Sequence, residues 1–441
     1  MRKRVAASPP IFAIVFGEAD PPALSAPEIR TILQESEGTE ALDGVDVMRD
    51  EMHTSGMPFS VVSNKTGKTL SGLVLALLWW SQAASALHAQ SRLATNFAAA
   101  ADTAGALSPQ PVVKIELCPV GNPGNQADPA TAVAGPESGV PLLLSKLINV
   151  QPAIDYGRVD YAYEIGKYDV TVAQYTAFLN AVARNDPYGL YTWQMSTAGN
   201  SSGQSTAAGI KQSGAAGSYT YSVIGDSGND PATFVSWFDA ARFCNWLHNG
   251  QPTDGVERAG TTETGAYTLN GDTTTGLETR NAGAKWWLPS ENEWYKAAYY
   301  DPTLNQGAGG YWRYATRSNV ARGNRVGGEA NQANYRNAKG YCLMQNSVYI
   351  QLHTNYLTPV GAFKNSASAY GTYDQNGNVS QWNDSIVGVA KNGIKCRGWR
   401  GGSWSSWPVM LGSDGAALNH TPQYEGSDTG FRVATGPSTS R

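Results

Sequence analysis

From Asp301 to Arg441 the sequence shows no helical period, and its apolar residues come in short runs broken by Gly, Asn, Ser and Pro. Such a stretch is limited to short strands and turns, because a helix needs apolar residues recurring every three or four positions. Upstream, three segments do carry that recurrence. VAQYTAFLNAVA (172–183) sets Val172, Tyr175, Phe178, Leu179 and Val182 on one face, with Thr171 placed to cap it. VSWFDAARFCNWLHNG (235–250) puts Ala241, Cys244 and Leu247 on one face, with Ser236 as its cap and Gly250 as its end. In WWLPSENEWYKAAYY (286–300), Ser290 and Glu293 have the spacing of a capping box. Strands are expected in VVKIELCPV (112–120), YAYEIGKYDVT (161–171) and SYTYSVI (218–224). AYTLNGDTT (266–274) reads as a hairpin turning on Asn270-Gly271. A few early helices followed by a long irregular β-rich half make an α+β fold.

Composition explains how so much irregular chain can hold together. Charged residues make up 15% of the sequence, against about 25% in ordinary globular proteins. The chain carries 48 Gly, 13 Trp and 22 Tyr, which describes loops held by aromatic packing. A formal net charge of −4 argues against a nucleic-acid binder, which carries a basic patch and a high pI. Four cysteines, Cys118, Cys244, Cys342 and Cys396, show no zinc spacing, and any disulfide pairing among them is open.

The most apolar stretch, Leu70–Ala89, has a core of only Leu73–Trp80, well short of the ~20 residues of a membrane span. Lys65 and Lys68 precede it and Ala83, Ala84, Ser85 and Ala86 follow, the three parts of a secretory signal peptide. Met57 is a natural start for such a signal. The expected organisation is therefore 1–56 as a disordered over-extension of the start, 57–89 as signal peptide and 90–111 as linker. One domain then covers 112–436, with 437–441 as a tail. The protein is expected to be secreted, periplasmic or at the cell surface, with no transmembrane anchor.

The blocks YEIGKYDVTVAQYTAFLN, VSWFDAARFCNWL, WLPSENEWYKAAYY, YGTYDQNGNVSQW, RGGSW and TGFRVA, in that order, resemble the formylglycine-generating enzyme or sulfatase-modifying factor family. The resemblance implies a variant of the C-type lectin fold with two or three short helices and short strands. It also implies where the chemistry of the oxidases would sit. They bind copper through two cysteines after the RGGS block, and the matching positions here are Ser406 and Leu411. Thiolates select Cu(I), which Ser holds poorly and Leu not at all. No catalytic residue and no copper are therefore expected. His248, His353 and His420 lack the spacing of the iron ligands found in other relatives, so no iron is expected either. Cys244 reads as a buried helix thiol, since Val433 stands where relatives carry its disulfide partner.

The resemblance also implies calcium loops. Asp374, Gly377, Val379 and Gln381 match one, with Gln381 where a Glu is usual, so the site is short of a charge. The other reading of that block is a calcium-free Gly-Asn turn with Trp382 in the core. Asn334 and Tyr335 match the start of a second loop whose remaining ligands are not traceable.

Between Ser405 and Thr429, large amphipathic residues stand among small polar ones. Trp404, Ser406, Trp407, Met410, His420 and Tyr424 are the candidate ligand-binding residues, with packing in the core as their other reading. Three functions compete. One is an exported, non-oxidase module that binds a protein or small molecule through the late loop 405–424, in one version a diversified display protein. The second is an oxidoreductase acting on a protein cysteine with altered metal ligation. The third is a structural envelope protein.

Overall fold

The computed structural model describes residues 45–50, 59–64, 112–128, 156–196, 209–320, 323–351, 354–390, 393–414 and 418–437. The chain divides into two units, Met1–Ala100 and Ala101–Arg441. In the first, β1 (Val45–Asp50) and β2 (Phe59–Asn64) pair antiparallel, Val45 opposite Asn64. No ordered element was expected before residue 57. VDVM and FSVV are rich in the β-branched residues that favour strands. The rest of the expected signal peptide and the linker 90–111 lie outside the described residues.

In the second unit, β3 (Leu117–Val120), β4 (Tyr163–Gly166), β7 (Trp286–Trp287) and β14 (Ala434–Thr435) form one antiparallel sheet in the order β3-β4-β14-β7. The last strand thus sits between β4 and β7, both more than a hundred residues upstream of it. A second sheet has the order β12-β11-β10-β13, from β10 (Ser380–Val389), β11 (Lys395–Arg400), β12 (Leu418–His420) and β13 (Thr429–Phe431). Its β10–β13 pair is parallel, and its β10–β11 register is broken twice between Trp382 and Gly388. Two small hairpins, β5 (Ile210–Ser213) with β6 (Thr220–Val223) and β8 (Tyr300–Asp301) with β9 (Gly310–Tyr311), complete the strands.

The three long helices are α1 (Val172–Val182), α2 (Trp237–His248) and α3 (Glu291–Tyr299). Each begins in a reciprocal capping box, from Thr171 with Gln174, Ser236 with Asp239, and Ser290 with Glu293. These boxes satisfy backbone N–H groups that a helix start otherwise leaves open. The apolar faces of α1 and α2 meet through Tyr175, Phe178, Phe243 and Trp246, with Phe431 of β13 edge-on. Ring contacts of this kind add to the area they bury. The α+β expectation is what the structure shows.

One local expectation is corrected. AYTLNGDTT makes the Asn270-Gly271 turn but no strands. Asn245 of α2 instead binds the N–H and the carbonyl of Tyr267, taking up the groups a partner strand would use. His248 closes α2 as a hydrogen-bond acceptor. Its Nδ1 accepts the Lys285 N–H at 3.0 Å, and burial, with Lys285, lowers its pKa. Glu291, at the start of α3, is an ion-pair partner. Its carboxylate pairs with Arg400 and accepts from Asn383.

Candidate functional site

The late loop leaves β11 at Arg400 and turns on Gly401 and Gly402, both at positive φ. A Cβ on Gly402 would lie 3.0 Å from Leu411 Cδ1 and 3.2 Å from Ser406 Cβ, so those two side chains flank one point of backbone. Both are buried. The Ser406 hydroxyl accepts the Ser403 N–H at 2.9 Å and lies 3.2 Å from the Ser403 hydroxyl. Ser403 and Ser405 in turn donate to one oxygen of Asp428, at 3.1 and 3.3 Å. Burial pushes the Asp428 pKa up. Where the oxidases carry two thiolates, the loop thus holds a hydroxyl–carboxylate network and a methyl group. With no soft donor at either position, the pair does not fit copper.

The six candidate binding residues do not form one surface. Trp404 is 3% exposed, stacks on Tyr356 with centroids 4.8 Å apart, and donates its indole N–H to Ser427. Ser406 lies in the hydroxyl network. These two are corrected to interior positions, because each finds its hydrogen-bond partners inside the fold. His420 and Tyr424 are half-buried, stack on each other at 3.9 Å, and both meet Trp399 edge-on. Burial pushes the His420 pKa down to about 4, so it is neutral at ordinary pH. His420 belongs to β12, opposite Arg397, rather than to a loop. His353 lies outside the described residues.

Trp407 and Met410 remain. Met410 packs against the cluster of Tyr314, Ala333, Tyr335 and Leu411. Trp407 is 43% exposed, and the Arg336 guanidinium lies 4.6 Å from its ring centroid. The same guanidinium lies 5.4 Å from the Tyr341 ring and donates to the Val348 carbonyl at 3.1 Å. Arg336 N–H also donates to Ser406 O. Arg336 therefore joins Trp407 to residues 341–350, where Leu343, Val348, Tyr349 and Ile350 are exposed.

Sequence reasoning missed this neighbour, yet a signal was present. Glu329 is the only acid between Asp301 and Asp374, against Arg313, Arg317, Arg322, Arg325, Arg336, Lys339 and Lys364. In a chain of net charge −4 this is a local cationic island.

The first of the two calcium positions does not fit the ion. Gln381 Oε1 accepts from both Trp294 Nε1 and Arg432 Nε at 2.6 Å, which uses both its lone pairs. Its Nε2 donates to Asp374 O at 2.8 Å. Asp374 accepts the Gly361 N–H at 2.6 Å, and burial pushes its pKa up to about 6. Gly377 packs so closely that an added Cβ would overlap Asn334 O, and the Val379 side chain is buried in a separate apolar cluster. At the second position, Tyr335 O accepts from Asn324 Nδ2, while Asn334 Nδ2 donates to Tyr356 O and Asn378 Oδ1. Own N–H donors thus take the oxygens of the first position, whereas at the second the Tyr335 carbonyl is shared with an amide and Asn334 Oδ1 is buried with no hydrogen-bond partner. Among the described residues no three His, Cys, Asp or Glu side chains converge for a metal. The four cysteines are buried and free.

A family model described as the sulfatase-modifying factor enzyme 1-like domain matches residues 149–436. No curated protein matches the chain. Among solved structures the chain is similar to one described as the crystal structure of CarF, at 19% identity and TM-score 0.40, covering 74% of this chain and 99% of that one. It is also similar to Treponema denticola variable protein 1, at 18% identity and TM-score 0.35, covering 66% and 92%. A third is PvdO from Pseudomonas aeruginosa, at 19% identity and TM-score 0.34, covering 65% and 85%.

Proposed function

Because the chain belongs to the sulfatase-modifying factor enzyme 1-like family, we propose that it uses the family scaffold as an exported binding module rather than as an oxidase. The observation that carries this reading is the fate of the thiolate positions. Ser406 and Leu411 meet across Gly402 with no sulfur between them, and the Ser406 hydroxyl is committed to Ser403. A fold shared with enzymes does not carry their chemistry once the reacting groups are gone. Recognition falls to the outward part of the late loop. There Trp407 stands on a guanidinium that orders it, and a rigid aromatic gives contact area at low entropic cost. Export rests on the segment 57–89, with its basic start, short apolar core and small-residue exit.

The test is anaerobic Cu(I) titration of the purified chain, with oxygen uptake measured on a peptide containing Cys-Xaa-Pro-Xaa-Arg. No tight copper binding and no peptide-dependent oxygen uptake are expected. Stoichiometric copper with turnover of the cysteine would overturn the reading in favour of the oxidoreductase.

A further inference from the structure

We propose that the surface built by residues 325–350 and Trp407 docks an acidic peptide segment of a partner protein that also carries apolar side chains. This rests on the binding reading above and names the partner's chemistry. Three observations carry it. The surface carries a net positive charge: Arg325 and Lys339 are exposed, Arg336 is half-buried, Glu329 is its one acid, and none of the three cations forms an ion pair with a described carboxylate. It is also apolar. Val326, Leu343, Val348, Tyr349, Ile350 and Trp407 are all exposed, Tyr349 at 70%. Lastly, it is one tied unit. Arg336 links Trp407 to Val348, and Gln345 Nε2 donates to Asn324 O, Tyr341 O and Cys342 O, fixing the Arg325 turn to the 341–345 turn.

The mixture selects among anionic partners. Single-stranded nucleic acid is gripped by aromatic faces on which bases stack, and four of these six side chains are aliphatic. A lipid surface is met by an amphipathic helix or by a cluster of about four to eight Lys and Arg, and this surface has three cations on irregular chain. Here Arg predominates over Lys beside Tyr, Trp and Met, which is the composition of protein–protein contacts. Arg also offers a planar fork that matches a carboxylate. Asn346 beside the cations is exposed, and its amide can pair with a peptide backbone.

The experiment is fluorescence anisotropy of the full chain with a labelled peptide of alternating Glu, Leu and Trp. Two controls replace Glu by Gln, or Leu and Trp by Ser. The parent peptide is expected to bind about tenfold more tightly than either control, with the preference falling as salt is raised. Arg325→Glu/Lys339→Glu and Tyr349→Ser, all at exposed positions, are each expected to weaken it about tenfold. Equal binding of the Gln control, or full binding by the charge-reversal variant, would overturn the acidic chemistry while leaving the binding role standing. Binding to phosphatidylglycerol vesicles or single-stranded DNA but to no peptide would overturn the choice of partner. Failure to bind any probe would overturn the proposal, and the copper titration alone decides the oxidase question.

Discussion

At the scale of single residues, the late loop shows how one block divides between interior and surface. Trp404 and Trp407 stand three positions apart in RGGSWSSW, yet the first is buried on Tyr356 and the second lies open over Arg336. Nothing in the block separates them, because an irregular segment has no period and the partners come from elsewhere in the chain. The loss of the thiolates, by contrast, was legible, since it needed only the identity of two positions. Their convergence on Gly402 adds a prediction. Ser406→Cys/Leu411→Cys would place two sulfurs on the two side chains that flank Gly402. The double variant is expected to take up one Cu(I) per chain in competition with a colorimetric chelator, and the parent chain none. A double variant that binds no copper would show that the loop no longer has the geometry for the ion.

At the scale of elements, the helices are legible closely and the strands in part: β3, β4 and β6 fall in segments that read as strand, whereas those after residue 300 are not placed one by one. A helix announces itself through local spacing and a cap, and all three capping boxes formed where Thr171, Ser236 and Ser290 stand. Strand partners are remote. β5 gave no signal of its own, and the hairpin at Asn270 lost its ladder to Asn245 of α2. The start of α3 shows why a cap can be more than a cap. Ser290 closes one hydrogen bond, whereas Glu293 is fully buried and accepts from the Ser290 N–H, Arg280, Tyr161 and Trp287. Ser290→Ala is expected to cost about 1 kcal/mol in urea unfolding. Glu293→Ala is expected to cost about 3 kcal/mol, because it strands a guanidinium and an indole N–H. Equal losses would mean that the carboxylate acts only as a cap.

At the scale of the whole domain, closure by β14 between β4 and β7 holds the two ends of the matched region together with β3, which lies upstream of it. The loops at Asp374 and Asn334 are cross-linked by side-chain amides and Arg432, so a chelator is expected to leave the melting temperature unchanged. A fall on adding EDTA, reversed by calcium, would contradict that. Proton binding should matter more. Glu257 is buried with neither carboxylate oxygen hydrogen-bonded, and burial, reinforced by Asp186, pushes its pKa up to about 9. Arg242, the cation whose charge opposes this rise, is bound to Glu263 through Nε and NH2. Burial likewise raises Asp239 to about 6. A carboxyl whose folded pKa exceeds its unfolded value of about 4 keeps its proton longer when folded. The stability it contributes is full below that unfolded value and drains as pH climbs to the folded one. The melting temperature should therefore fall between about pH 5 and about pH 9, by on the order of 5 °C for a domain of this size. Glu257→Gln removes the ionisation while keeping the shape. Its melting curve is expected to match the parent near pH 5 and to exceed it near pH 9. A variant that tracked the parent across the whole range would place the titration on another group.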